Sequence, residues 1–319
     1  MQAFFKKIFK LDMIGVIIAL VIISVILSIT AKGFTSPINI DSILKVSSIT
    51  IIVGLAQLSV LSVGQFNLAL GSIGCCSAMA GMYLIQEMGI PIIPAQLIGM
   101  LTGFILGWFQ GMLVAKSGIN PFVVTLALSS IYLGTATVIF RNLVLNQVPV
   151  EIKQVNKISL LGIPLLLVIA LFLVFIMFII MNKLYVGRQM LATGESKSAA
   201  NIAGIKTAKQ IVIAHSISAI LAAIAGLLTV TRLGSAQLSL GSDWMLMSFA
   251  APVLGGTLLS GGKVSVIGTI FGAVLLNVIN AGLVLLDVSF YWTQTFLGVI
   301  LVLAFGLDRV RQTLLARGR

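Results

Sequence analysis

Ten apolar runs, each close to the length that crosses a bilayer, constrain this chain more than any other feature. They cover residues 13–31, 46–64, 69–86, 92–115, 121–140, 164–182, 210–231, 244–259, 265–286 and 291–307. A helix needs roughly 20 apolar residues to span the hydrocarbon core. Lipid offers no hydrogen bonds to backbone groups, so each run predicts a helix that bonds within itself. The expected fold class is all-α: one polytopic transmembrane domain over residues 1–319, with about ten transmembrane helices. Composition settles the solvent. The chain is 59% hydrophobic and 9% charged, whereas a water-soluble domain is about 25% charged.

A net charge of +12 would point to nucleic acid in a soluble protein. Here the positions of the charges give another reading. With the N-terminus in the cytoplasm, fourteen of the twenty basic residues fall on the cytoplasmic side. They lie in the N-tail (Lys6, Lys7, Lys10), at Lys116, in the central loop, at Lys263 and in the C-tail. This is the bias of a multi-pass protein of the cell (inner) membrane with both termini cytoplasmic. The partner implied is the bilayer, not nucleic acid, and the C-tail "LDRVRQTLLARGR" reads as a surface anchor. The first run is too long for a signal peptide and no Ala-x-Ala follows it, so it is read as an uncleaved span. Two stretches stay polar: an external loop at 141–162 and a cytoplasmic loop at 184–209, rich in small residues and glycine-bounded.

The segment Leu258-Leu259-Ser260-Gly261-Gly262-Lys263-Val264 has the look of a nucleotide loop. A phosphate loop needs glycine five residues before its Gly-Lys pair and a hydroxyl after the lysine. Here Thr257 stands in the first place and Val264 in the second, so nucleotide binding is excluded. The expected structure is a span broken at Pro252, a tight turn on Gly255, Gly256, Gly261 and Gly262, and a helix striped by Gly268 and Gly272. No catalytic constellation accompanies it, and no enzyme activity is expected. His215 is the one histidine and reads as a packing residue; Cys75 and Cys76 are adjacent and poorly placed for a disulfide. The acids Glu87, Asp243 and Asp287 fall at span ends, which argues against an ion-coupled carrier, since such carriers often hold charges within spans.

A faint repeat runs through the chain. "FNLALGS" at 66–72 matches "AQLSLGS" at 236–242, and "IGMLTGF" at 98–104 matches "IGTIFGA" at 267–273, at offsets of 170 and 169. Five spans separate the copies, so an inverted 5+5 repeat is expected, a plan that places solute near the repeat interface. Uncharged polar groups fall at membrane depth: Gln57, Gln65, Asn67, Gln110, Asn120, Thr125, Gln237, Asn277 and Asn280. They serve either helix–helix bonding or a pathway for a hydroxyl-rich solute, because amides both donate and accept. The candidate pathway residues are Gln65, Asn67, Asn120, Thr125, Gln237, Trp244, Asn277 and Asn280.

"VGRQMLATGESKSAANIAGI", "VLGGTLLSGGKVSVIGTIFGAVLLNVINAGL", "GQFNLALGS" and "INPFVVTLALSSIYLG" together resemble the permease subunits of ribose-type and autoinducer-2-type ATP-binding-cassette importers, over about residues 46–310. The resemblance implies a permease for a monosaccharide or similar neutral solute: ribose-like, galactose-like or autoinducer-2. It also implies a second permease subunit, in a homo- or heterodimer, an extracytoplasmic solute-binding protein and a separate cytoplasmic ATPase. ATP and Mg would bind that ATPase, and this chain would bind no cofactor or metal. Residues 184–209 would be the ATPase-coupling loop, docking through Gly194, Glu195, Ser198, Ala199, Ala200 and Gly204. Two departures stand out: Asn67 where the family usually has an acid, and Trp244, Met245 and Met247 where many ribose-like members carry acids. They point away from ribose and toward a diverged paralogue. The alternatives are a nucleoside-importing permease of the same kind and an ion-coupled secondary carrier.

Overall fold

In the computed structural model, residues 2–288 are described, apart from Asn142 and Leu161, together with positions 292, 295, 298 and 299; for residues 2–13 only the backbone is described. The run expected at 291–307 and the basic C-tail therefore lie outside the described residues. The elements in chain order are α1 (Gln2–Thr30), α2 (Pro37–Leu61), α3 (Leu70–Gln86), α4 (Ile92–Ser117), α5 (Pro121–Phe140), α6 (Val150–Val155), β1 (Ser159–Leu160), β2 (Ile163–Pro164), α7 (Leu165–Asn182), α8 (Tyr185–Glu195), α9 (Lys197–Ile202), α10 (Thr207–Leu233), α11 (Trp244–Leu254) and α12 (Val266–Leu285). α2, α4, α5, α7, α10 and α12 are each long and apolar enough to cross a membrane. The shorter apolar helices are Ile14–Thr30, α3 and α11.

α2 is the axis of the bundle. Every residue from Ser47 to Leu61 is buried, and α7, α10, α11 and α12 surround it. Its start is fixed locally: Pro37 opens the helix and the Ser36 hydroxyl accepts from the Asn39 N–H at 3.3 Å. α4 meets α10 along a stripe at Gly103, Gly107 and Gly111, one glycine per turn, and Gly99, one turn earlier, faces Ser77 and Gly81 of α3. A side chain built on Gly103 would lie 2.6 Å from the Ala223 methyl, and one on Gly107 would strike Ala219. Small residues let the two backbones approach where lipid supplies no hydrophobic drive between helices. The Gly268–Gly272 stripe of α12 does the same against the Gly255 and Ala251 backbone of α11.

One expected span is shorter than its apolar run. The run 244–259 yields an eleven-residue helix that ends at Leu254, two residues after Pro252. The remainder is a turn, with Gly256, Gly261 and Gly262 at φ of 88°, 89° and 77°. The break expected at Pro252 and the turn expected on the glycines after it are both present. At the end of the bundle away from α8, the 141–163 loop carries α6 and the β1–β2 hairpin. It is stitched to the segment after α10 by paired backbone bonds between Leu145 and Ala236, at 2.9 and 2.8 Å. At the other end, α8 and α9 occupy the polar loop at 184–209, and α7 receives α8 where Gly187 sits against the Ile180 carbonyl.

Candidate functional site

Two helices begin part-way through the bundle. α3 starts at Leu70 after an irregular stretch from Ser62, and α11 starts at Trp244 after the loop that follows α10. The Leu-x-Leu-Gly-Ser copies lie at these two starts, and they touch. The Gly241 carbonyl fills the space where Gly71 would carry a side chain, and a Cβ on Gly241 would stand 3.0 Å from the Gly71 Cα. One turn on, the Trp244 ring packs over Gly74, 2.5 Å from where a Cβ would be. Gly74 in turn presses its carbonyl on Gly226 of α10.

The segment 237–247 divides two cavities. The larger, of about 410 Å³, is enclosed by α2, α10, α12 and this segment. Its polar lining includes Asn39, Arg232, Gln237, Asp243, Asn277 and Asn280, and Trp244 forms part of its wall. The smaller, of about 120 Å³, lies on the opposite side of Leu240 and Gly241, with Ser72, Ser129 and Ser242 on its lining. The large cavity is chemically uncommitted. Asn277 spends its amide N–H on the Ala273 carbonyl at 2.8 Å. Among the described residues, the Gln237 and Asn280 side chains have no hydrogen-bond partner, and Arg232 Nε is buried without one. No salt bridge joins Arg232 to Asp243. The lining thus presents amides, a guanidinium and a carboxylate to one volume, with Asn39 Nδ2 bonded to the Phe34 carbonyl at 2.7 Å.

Other sequence candidates sit in a second network at the α2–α3 break, paired among the described residues except at Gln110 Oε1, which is buried without a partner. The Gln57 amide, oriented as its partners require, donates to the Asn67 carbonyl at 2.9 Å and accepts from the Asn67 N–H at 3.3 Å. Asn67 Nδ2 donates to Ser218 Oγ at 3.1 Å, and its Oδ1 accepts from the Ala69 N–H at 2.9 Å. Thr125 Oγ1 accepts from the Leu68 N–H at 3.2 Å. Beside it, Gln110 Nε2 lies 2.9 Å from His215 Nδ1, while His215 Nε2 lies 3.3 Å from Gln65 Oε1. An amide nitrogen can only donate, so Nδ1 accepts and Nε2 carries the proton, a neutral imidazole in a packing role. These side chains replace the helix bonds that the irregular backbone at 62–69 gives up. Asn120 belongs to neither group; its Oδ1 accepts from the Phe122 N–H at 2.9 Å and caps α5.

At the α8 end, Gly194 is wedged against the Ser62 carbonyl, Ala200 is buried, and Glu195, Ser198, Ala199 and Gly204 are exposed. Ser196 caps α9, accepting from the Ala199 N–H at 3.3 Å. Ile202, 89% exposed, projects from the same surface.

Residues 39–305 match the family described as branched-chain amino acid transport system / permease component. The chain belongs to this permease family. It is 30% identical to the ribose import permease protein RbsC of Bacillus subtilis (strain 168), over 93% of this chain and 92% of that one. It is 28% identical to the D-allose transport system permease protein AlsC of Escherichia coli (strain K12), over 91% and 89%. Identity to the fructose import permease protein FrcC of Rhizobium meliloti is 27%, over 91% and 85%. No solved structure matches. The family is one of multi-pass transporter components.

For this permease, then, the eight pathway candidates separate into two places and an outlier. Gln237, Trp244, Asn277 and Asn280 share the large cavity; Gln65, Asn67 and Thr125 share the network at the break; Asn120 is a cap. Sequence reasoning passed over Arg232, Asn39, Ser218 and Ile202. Arg232 had a signal: with Asp243 it brackets the second Leu-x-Leu-Gly-Ser copy. Ile202 also had one, as a bare apolar residue in a polar loop. Asn39 and Ser218 had none.

Proposed function

We propose that this permease is the transmembrane subunit of an ABC importer that takes up a monosaccharide or a similar small, neutral, hydroxyl-rich solute. The observation that carries the reading is the 410 Å³ cavity, in which Gln237, Asn277, Asn280, Arg232 and Asp243 converge beside Trp244. A sugar presents hydroxyls that both donate and accept, which neutral amides match, and an apolar ring face suited to an indole. A formal ion would need a matching charge; here one positive and one negative group face the same volume. The names of the relatives, for ribose, allose and fructose, agree with this chemistry.

In this reading the chain works in the inner membrane with α8, α9 and both termini cytoplasmic, as the lysine and arginine distribution supports. The touching Leu-x-Leu-Gly-Ser copies belong to the two halves of an inverted 5+5 repeat. ATP and Mg are bound by a separate ATPase that docks on the 184–209 loop. An extracytoplasmic binding protein delivers solute to the end carrying the 141–163 loop, and a second permease subunit completes the pore.

The test is uptake by proteoliposomes holding this chain, its ATPase and its second permease, with binding protein supplied in the medium and radiolabelled ribose, allose and fructose as probes. Accumulation that needs both lumenal ATP and binding protein is expected. Accumulation driven by a proton or sodium gradient in liposomes lacking the ATPase would replace this reading with a secondary carrier.

A further inference from the structure

Three backbones meet at the α8 end with no side chain between them. The turn between α2 and α3 contributes Ser62 and Gly64, the last turn of α8 contributes Gly194, and the turn between α11 and α12 contributes Gly261 and Gly262. The Gly262 N–H donates to the Ser62 carbonyl at 3.3 Å. A Cβ on Gly194 would lie 2.6 Å from the Gly262 nitrogen, and one on Gly261 would lie 2.5 Å from the Gly64 Cα. Gly64, Gly261 and Gly262 have φ of 71°, 89° and 77°, where side-chain-bearing residues are strained. All four positions are thus restricted to glycine by contact, conformation or both.

The position of this junction in the chain gives it meaning. The α2–α3 turn runs into the stretch that ends at Gly71, and α11 runs from the Gly241 loop into the α11–α12 turn. Both arms of the Gly71–Gly241 contact, which lies between the two cavities, therefore return to the same four-glycine junction under α8. Past it, Thr257 Oγ1 accepts from the Ser265 N–H at 3.0 Å, and Ser265 Oγ accepts from the Gly268 N–H at 3.1 Å, tying the turn to the start of α12.

We infer that the junction of Gly64, Gly194, Gly261 and Gly262 is the transmission element of the importer, moving as one rigid body so that displacement of α8 reaches both broken helices. This rests on the permease reading above. Side chains in such a contact would change rotamer and absorb small movements; close-packed backbone transmits them. The sequence "LLSGGK" would then be neither a nucleotide loop nor a passive turn, but the piece of the permease that carries the motor's stroke to α11 and α12.

The experiment uses the reconstituted complex of both permeases, ATPase and binding protein. Gly261→Ala is expected to lower binding-protein-dependent uptake at least tenfold while the ATPase still copurifies and still hydrolyses ATP. Gly134→Ala, at a position with no neighbour within 4 Å, is expected to leave uptake within twofold. Uptake by Gly261→Ala equal to the parent would overturn the inference. A second arm does not depend on that variant folding. Cys75 and Cys76 are replaced by alanine, Glu195→Cys and Ser260→Cys are introduced at exposed positions, and each carries a spin label. A rigid junction keeps one label-to-label distance in the nucleotide-free and the ATP-bound complex; a distance that changes between the two states would show that the parts separate in the cycle, and would also overturn it. If the parent complex shows no ATP-driven uptake at all, it is the permease reading that fails.

Discussion

At the residue scale, two kinds of amide lie within one bundle, and they should respond oppositely to substitution. Gln57 holds both backbone groups of Asn67, so Gln57→Leu leaves an N–H and a carbonyl unpaired where no water reaches. Each costs about 1–3 kcal/mol, and the expected outcome is a clear drop in melting temperature of the detergent-solubilised permease. Asn280 lines the large cavity and has no protein partner among the described residues. Asn280→Ala should leave melting unchanged and raise the solute concentration for half-maximal uptake about five- to tenfold, the worth of one hydrogen bond of roughly 1–1.4 kcal/mol. A melting loss in Asn280→Ala comparable to that of Gln57→Leu would make it a packing residue instead.

At the element scale, the α4–α10 contact depends on the absence of side chains. Gly107→Val would drive a branched side chain into Ala219 and the His215 carbonyl. Overpacking of this kind costs about 1–3 kcal/mol or more, so thermal unfolding in detergent should shift down, while Gly134→Ala on α5 should not move it. The Gly268–Gly272 stripe of α12 was readable from the sequence while the α4 stripe was passed over, and the apolar runs were readable as helices because hydrocarbon permits little else. What could not be read was the use of each polar letter. Asn67 and Asn280 are the same residue type in or beside apolar runs, yet one bonds a broken backbone and the other lines the large cavity. That difference is set by neighbours 151 positions apart, Asn67 and Ser218. The early end of α11 was legible too, from Pro252 and the glycines that follow it.

At the scale of the whole molecule, the α8–α9 surface and the cavity lie at opposite ends of the same broken helices. Ile202 stands 89% exposed on that surface, and Ile202→Asp is expected to abolish copurification of the ATPase without changing the melting temperature of the permease. Loss of both together would place Ile202 in the fold rather than at the motor. Between the two ends sits the contact of Gly71 with Gly241, and its make-up bears on leakage. A plug made of side chains opens briefly whenever a rotamer flips, within picoseconds to nanoseconds. Here the Gly71–Gly241 part of the wall is main chain against main chain, and parting it takes a collective shift of helices, over microseconds to milliseconds. A membrane that holds this protein at rest should therefore stay tight to protons and small ions between strokes of the motor.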